Sequence, residues 1–426
     1  MTITIFLGAL LGAMALGVPI AFSLLVCGAA LMWHMDMFDP QILAQNTIEG
    51  ANSFPLLAVP FFMLAGEIMN VGGLSKRIVK FAMTLVGHVR GGLGYVAIMA
   101  AIIMAALSGS AVADAAALAA LLLPMMNRAG YDTARSAGLL SAASIIAPII
   151  PPSIGFVVFG VAANVSISRL FMAGIVPGLI LGLALWVTWW LLVRRENIAA
   201  TQRASAAEML ASFRDATFAL GMPVIVVVGL KFGVFTPTEA AVVAAVYALF
   251  VSMAIYRELK WSQLYSLFLS AAQTTAIIMF LVAAAMVSAW MITVANLPAE
   301  LIALLQPMLD RPTLLMFTIM VVTMLVGTAM DMTPTILILT PVFMPLVKAA
   351  GIDPVYFGVL FLMNNAIGLV TPPVGTVLNV VCGIARIPMS GAIMGVIPFM
   401  IAETIVMFLL VLFPDIIMVP LHWMTH

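Results

Sequence analysis

The chain has 426 residues, 64% of them hydrophobic and 8% charged, with seventeen acidic and seventeen basic residues and a mean hydropathy of +1.22. Too little polar surface is available to coat a soluble globule of this size, so the chain belongs in a bilayer. Zero net charge argues against nucleic acid as a partner, and Cys27 with Cys382 alone supplies neither a disulfide framework nor a zinc site.

Uncharged runs cover Thr2–Trp33, Gly91–Ala113, Ser136–Ser168, Leu170–Val193, Trp261–Ala299, Pro312–Met330 and Pro354–Ala385. At ~20 residues per crossing of a ~30 Å hydrocarbon core, roughly ten to twelve spans or half-spans fit. No alternating ~10-residue pattern of a membrane barrel is present, which leaves an all-α polytopic membrane protein. The first run lacks a basic leader region and reads as one retained membrane helix, giving an N-terminal unit at 1–38.

A first repeat follows at 39–193. It opens on an apolar helix carrying Glu67, then an interfacial arm over Leu74–Val86, where polar and apolar residues mix over too short a length to span. The tract from Gly91 to Met126 is long for one crossing and is interrupted by Leu107-Ser108-Gly109-Ser110-Ala111-Val112-Ala113-Asp114. That pattern suits a re-entrant hairpin at about 91–126, with Gly109 turning the backbone and Ser108 and Ser110 supplying hydroxyls. Amides at the second half-helix's start can hold an anion and free carbonyls of the first a cation, although a straight helix with a small packing face stays open. Asp114 falls where the helix dipole alone would favour an acid. Pro151–Pro152 then break a helix at 148–155, removing donors and freeing upstream carbonyls. Ile149 to Pro151 become candidate cation ligands, with Ser153 adding a hydroxyl, and a packing kink is the alternative.

The interval 194–215 holds Arg194, Arg195, Glu196, Arg203, Glu208, Arg214 and Asp215 and reads as a polar cytoplasmic linker. Scaffold helices occupy 216–260, where Thr236-Pro237-Thr238-Glu239 is a helix start. A second repeat fills 261–418, with an arm over Leu297–Leu305, a hairpin at about 312–347 and a broken helix at 369–376. The second tip, Gly327-Thr328-Ala329-Met330-Asp331-Met332-Thr333-Pro334, places an acid deep in an apolar region, at a cost of ~2.5–3.5 kcal/mol unless it faces protein or water. Asp331 is therefore a candidate substrate or ion ligand, with helix capping as the plainer use and Thr333 as a candidate N-cap. Val370 to Pro372, with the Thr371 hydroxyl, match the first break. Glu67 and Glu403 lie in apolar helices without a visible partner and are expected to face a helix bundle or polar cavity. Residues 419–426 form a C-terminal tail.

The two repeats share their punctuation. Pro124, Gly130, Asp132, Pro151, Pro152, Gly174 and Pro177 recur 221 positions later as Pro345, Gly351, Asp353, Pro372, Pro373, Gly395 and Pro398. Seven breakers at one offset indicate a duplicated unit, and the poorer basic content of Leu297–Arg311 relative to Lys76, Arg77, Lys80 and Arg90 suggests opposite orientations. Arg128, Arg135, Arg169, Lys348 and Arg386 bracket the core helices as interfacial anchors, one of which could face an anionic substrate. The histidines, at 34, 88, 422 and 426, offer a poor basis for a metal or haem site.

Together, Phe61–Glu67, Leu107–Asp114, Pro148–Ser153, Phe235–Ala240, Asp331–Thr335 and Gly368–Gly375 resemble the large membrane subunit of tripartite ATP-independent periplasmic (TRAP) transporters, closest to sugar-acid and diketo-sugar-acid systems. The resemblance implies two inverted-topology repeats in an elevator-type architecture in the bacterial inner membrane. It also implies Na⁺-coupled import of an organic acid such as a C4-dicarboxylate, sugar acid or diketo-sugar acid. A small membrane subunit of about four helices and a periplasmic solute-binding protein would be its partners. Substrate contacts would fall to Ser108, Ser110, Asp331 and Ser153. Na⁺, the coupling ion, would take oxygens of Ser108, Ser110, Ile149, Pro151, Gly327, Met330, Val370 and Thr371. No Gly-x-x-x-x-Gly-Lys-Ser/Thr loop is present, so a gradient must supply the energy. A stand-alone divalent-anion/Na⁺ symporter and an intramembrane aspartyl hydrolase using Asp114 and Asp331 are the competing functions.

Overall fold

The computed structural model describes residues 2–194 and 202–425, and every regular element among them is helical. Eight of these helices are long and apolar enough to cross a membrane, and seven apolar helices of 10–17 residues are too short to do so alone. The short ones include the limbs of the expected hairpins and breaks: Gly92–Ser108, Ile154–Ala163, Pro312–Gly327 and Thr376–Ala385. Half-spans arise here because Gly, Ser and Pro stop each helix inside an apolar tract, and neighbouring protein must then satisfy the released backbone.

The two repeats match element by element. Hairpin limbs Gly92–Ser108 and Ala111–Arg128 correspond to Pro312–Gly327 and Met332–Ala349. Thr133–Ser144 and Ile154–Ala163, flanking the first break, correspond to Pro354–Gly368 and Thr376–Ala385, and the closing helices are Ile167–Val193 and Met389–Leu412. The arms are Leu74–Val86 and Leu297–Leu309. The shared punctuation resolves into separate uses. Asp132 and Asp353 cap helices by accepting amide hydrogen bonds at 2.7 Å from Arg135 and Val355. Gly174 and Gly395 lie where a closing helix meets another backbone: a Cβ on Gly395 would strike the Ala134 carbonyl, and one on Gly174 the Ile149 carbonyl. The proline pairs sit in the breaks, both as cis peptides.

The repeats interlock rather than stand side by side. Met332–Ala349 packs on Ile154–Ala163, and reciprocally Ala111–Arg128 packs on Thr376–Ala385. Thr133–Ser144 runs along Met389–Leu412, while Pro354–Gly368 touches Ile167–Val193. Reciprocal contacts of this kind are the signature of an approximate two-fold axis. Both hairpin tips border one cavity, the arrangement that inverted-topology repeats produce.

Four boundaries differ from the sequence reading. The N-terminal unit is two helices, Thr2–Ala15 and Ile20–His34, because Pro19 cannot continue a helix and instead begins the second. The second half of the supposed linker is helical: Ser205 and Glu208 form a capping box that starts Ala206–Lys231, so Arg214 and Asp215 lie on that helix. Arg195 and Glu196 lie outside the described residues, as does His426. The second arm continues through Pro307 to Leu309, and the C-terminal tail is part of a helix, Asp415–Thr425.

Candidate functional site

Both hairpin tips line one cavity of about 440 Å³. It is also lined by Ala58–Val71, through Glu67 and Asn70, and by Trp261–Val294, through Thr274 and Ile277. The N-terminal turns of two half-helices open onto it, at Ala111–Ala113 and at Met332–Thr333. Unpaired amides and the aligned peptide dipole make such helix starts attractive to anions.

The first tip is knitted internally. Gly109 takes φ +61, a left-handed conformation, and a Cβ there would collide with the Pro152 carbonyl oxygen. The hairpin thus rests directly on the first break through a residue that has no side chain. Ser110 caps the second limb by accepting from the Ala113 amide at 3.4 Å. The Ser108 hydroxyl donates to Asp114 Oδ1 at 2.5 Å and accepts from the Ser110 amide at 3.2 Å. Asp114 is fully buried and its Oδ2 has no partner among the described residues. The stabilising use expected for Asp114 takes the form of a bond to Ser108. Its six-residue spacing from Ser108 across a Gly turn was the available signal, because that spacing lets an acid on one limb reach the end of the other.

The second tip is more open. Asp331 occupies the N-cap position of Met332–Ala349, yet its side chain makes no capping bond. Its Oδ1 instead accepts from the Thr376 hydroxyl at 3.4 Å, beyond the second break, and the carboxylate faces the cavity. The plain capping use is thereby removed. Thr333 lies inside the first turn rather than at the N-cap. Tip and break meet here too: the Val374 amide donates to the Thr328 carbonyl at 3.3 Å, and a Cβ on Gly368 would lie 2.9 Å from the Gly327 carbonyl oxygen.

The remaining expected residues separate into two groups. Ser108, Ser110 and Asp331 share the cavity. Ser153 does not: it is fully buried, donates to the Pro148 carbonyl at 2.6 Å and accepts from the Phe156 amide at 3.2 Å. Its hydroxyl stabilises the break, and it is not among the residues lining this cavity. No hydrogen bond among the described residues ends on the carbonyls of Ile149, Pro151, Gly327, Met330 or Val370. The Ile149 carbonyl faces Gly174 on a closing helix, and Pro152 is the first-break residue whose carbonyl meets the tip. The Thr371 hydroxyl donates to Ile367 at 2.8 Å, leaving its lone pairs for a cation. No Lys, Arg or His lines the cavity among the described residues, so none of the bracketing basic residues reaches it.

Paired hairpin tips, two helix N-termini and a cavity with a few polar side chains inside an apolar bundle define a multi-pass membrane permease. The crystal structure of the YdaH transporter of Alcanivorax borkumensis has the same fold, with a TM-score of 0.63 at 17% identity over 86% of each chain. The family model for the tripartite ATP-independent periplasmic transporter, DctM component, matches residues 7–416, and the chain belongs to that family. It is the large permease subunit of a TRAP transporter, one part of a three-component system. The chain is 56% identical to the 2,3-diketo-L-gulonate TRAP transporter large permease protein YiaN of Escherichia coli, over all of both chains. It is 36% identical to the C4-dicarboxylate TRAP transporter large permease protein DctM of Pseudomonas aeruginosa, over 94% of each. These relatives are transporter subunits and not enzymes, which sets the aspartyl hydrolase reading aside.

Proposed function

We propose that this permease carries an organic acid, of the C4-dicarboxylate, sugar-acid or diketo-sugar-acid class, inward across a bacterial inner membrane on a Na⁺ gradient. A periplasmic solute-binding protein delivers the acid, and a small membrane subunit of about four helices completes the complex. The observation that carries this reading is the meeting of both hairpin tips and two helix N-termini at one cavity. An anion bound there gains from the helix amides, and free carbonyls at the tips and proline breaks suit a dehydrated cation. Ser108, Ser110 and Asp331 contact the substrate in this reading. Ser108, Ser110, Ile149, Pro151, Gly327, Met330, Val370 and Thr371 supply oxygens to Na⁺, the coupling ion.

The cavity is lined both by the hairpin tips and by Ala58–Val71 with Trp261–Val294, which is compatible with an elevator motion. In that motion the hairpins and broken helices travel as a block past those scaffold helices. Reconstitution of the complete transporter tests the coupling directly. Uptake of the acid rises several-fold with an inward Na⁺ gradient in this reading, and equal rates with and without the gradient would refute it.

A further inference from the structure

Glu67 is a carboxylate in an otherwise uncharged helix, Ala58–Val71, and it lines the same cavity as the two tips. A structural acid inside an apolar helix is normally consumed by its own partners, because an unpaired charge there is costly. Glu67 has little of that: the Ser270 hydroxyl reaches Oε1 at 3.5 Å, and Oε2 receives no hydrogen bond among the described residues. Asp331 faces the same cavity with only the 3.4 Å contact from Thr376. An acid-binding cavity therefore presents two acceptor-only side chains, no basic side chain among its described lining residues, and two helix N-termini.

We propose that Glu67 is a specificity-determining residue that accepts hydrogen bonds from substrate hydroxyl groups, and that with Asp331 it selects a polyhydroxylated monocarboxylate over a dicarboxylate. This rests on the proposed organic-acid transport. An ionised carboxylate accepts through two oxygens and cannot donate, so hydroxyl hydrogens satisfy it and a second anion does not. One substrate carboxylate has a place at the helix N-termini. A second carboxylate, in a cavity of about 440 Å³, would face Glu67 or Asp331 at short range. Selection by unpaired or repelled charge is the usual means of rejecting a near relative of the right substrate.

The test is ligand binding to the assembled membrane complex in nanodiscs, in Na⁺ and without the solute-binding protein, so that only the permease selects. The ligands are a six-carbon polyhydroxylated monocarboxylate, its analogue lacking the hydroxyls, and a C4-dicarboxylate. The wild type binds the polyhydroxylated acid at least ~10-fold more tightly than the dicarboxylate, in line with loss of a charged hydrogen bond. Glu67→Gln lowers affinity for the polyhydroxylated acid ~10-fold, leaves the dehydroxylated analogue unchanged and strengthens the dicarboxylate. Equal wild-type affinities overturn the proposal, as does a Glu67→Gln loss that is the same with and without hydroxyls, which marks a structural role. If the complete transporter carries no organic acid at all, the underlying reading fails; if it does and Glu67→Gln leaves selectivity unchanged, only this proposal fails.

Discussion

The two hairpin tips stand on the same backbone plan and spend their acids differently. In the first, Asp114 is enclosed and bonded to Ser108 on the opposite limb, tying the turn together. In the second, Asp331 sits at the cavity with one long contact and no capping bond. A duplicated unit can thus divide two jobs that one acid could not do at once. The first tip holds shape, and the second presents charge to whatever enters.

Substitutions can break that division, and the largest effect is expected at Asp331. Asp331→Ala removes a charge-assisted contact of ~1.5–3 kcal/mol, so uptake by the reconstituted transporter falls roughly 10–100-fold while thermal unfolding of the purified subunit is unchanged. A large drop in melting temperature would place Asp331 with Asp114 instead. Asp114→Ala leaves the Ser108 hydroxyl without its acceptor and lowers stability by ~2 kcal/mol in denaturant or thermal unfolding. Asp114→Asn keeps an acceptor and restores most of that loss.

Gly109→Ala comes next, at ~1–2 kcal/mol for a left-handed residue that gains a Cβ, plus displacement of the tip from Pro152. Uptake and stability fall together in that variant, which separates a distorted tip from a missing ligand. The smallest effect is expected at Ser153→Ala. It costs about 1 kcal/mol of stability through loss of a cap and leaves the apparent KM for uptake unchanged. A raised KM would return Ser153 to the substrate site.

Much of this plan was legible in the chain, because the signals were breakers with short-range physics. Gly91–Met126 and Pro312–Val347 gave both hairpins nearly to the residue, and Leu74–Val86 gave the first arm. Thr236 and Glu239 form the capping box that their spacing announces. What could not be read was set by distant partners. Asp331 has an ideal capping position, and only Thr376, 45 residues on, shows where its carboxylate turns. Ser153 looks like a ligand until the Pro148 carbonyl, folded back by the break, accepts its hydrogen bond. Glu67 does line a cavity, as an unpartnered acid in an apolar helix suggests, but which residues share that cavity was not legible.

The interlocking of the repeats bears on how the protein is made. Thr133–Ser144 lies against Met389–Leu412, so Gly138 meets its partner Gly395 only after roughly 250 further residues are synthesised. At ~5–20 residues per second that is a wait on the order of 10–50 s. For that time Thr133–Ser144 lacks the helix that packs along it in the finished fold. The packing of the first half of the chain is therefore completed only by its last long helix.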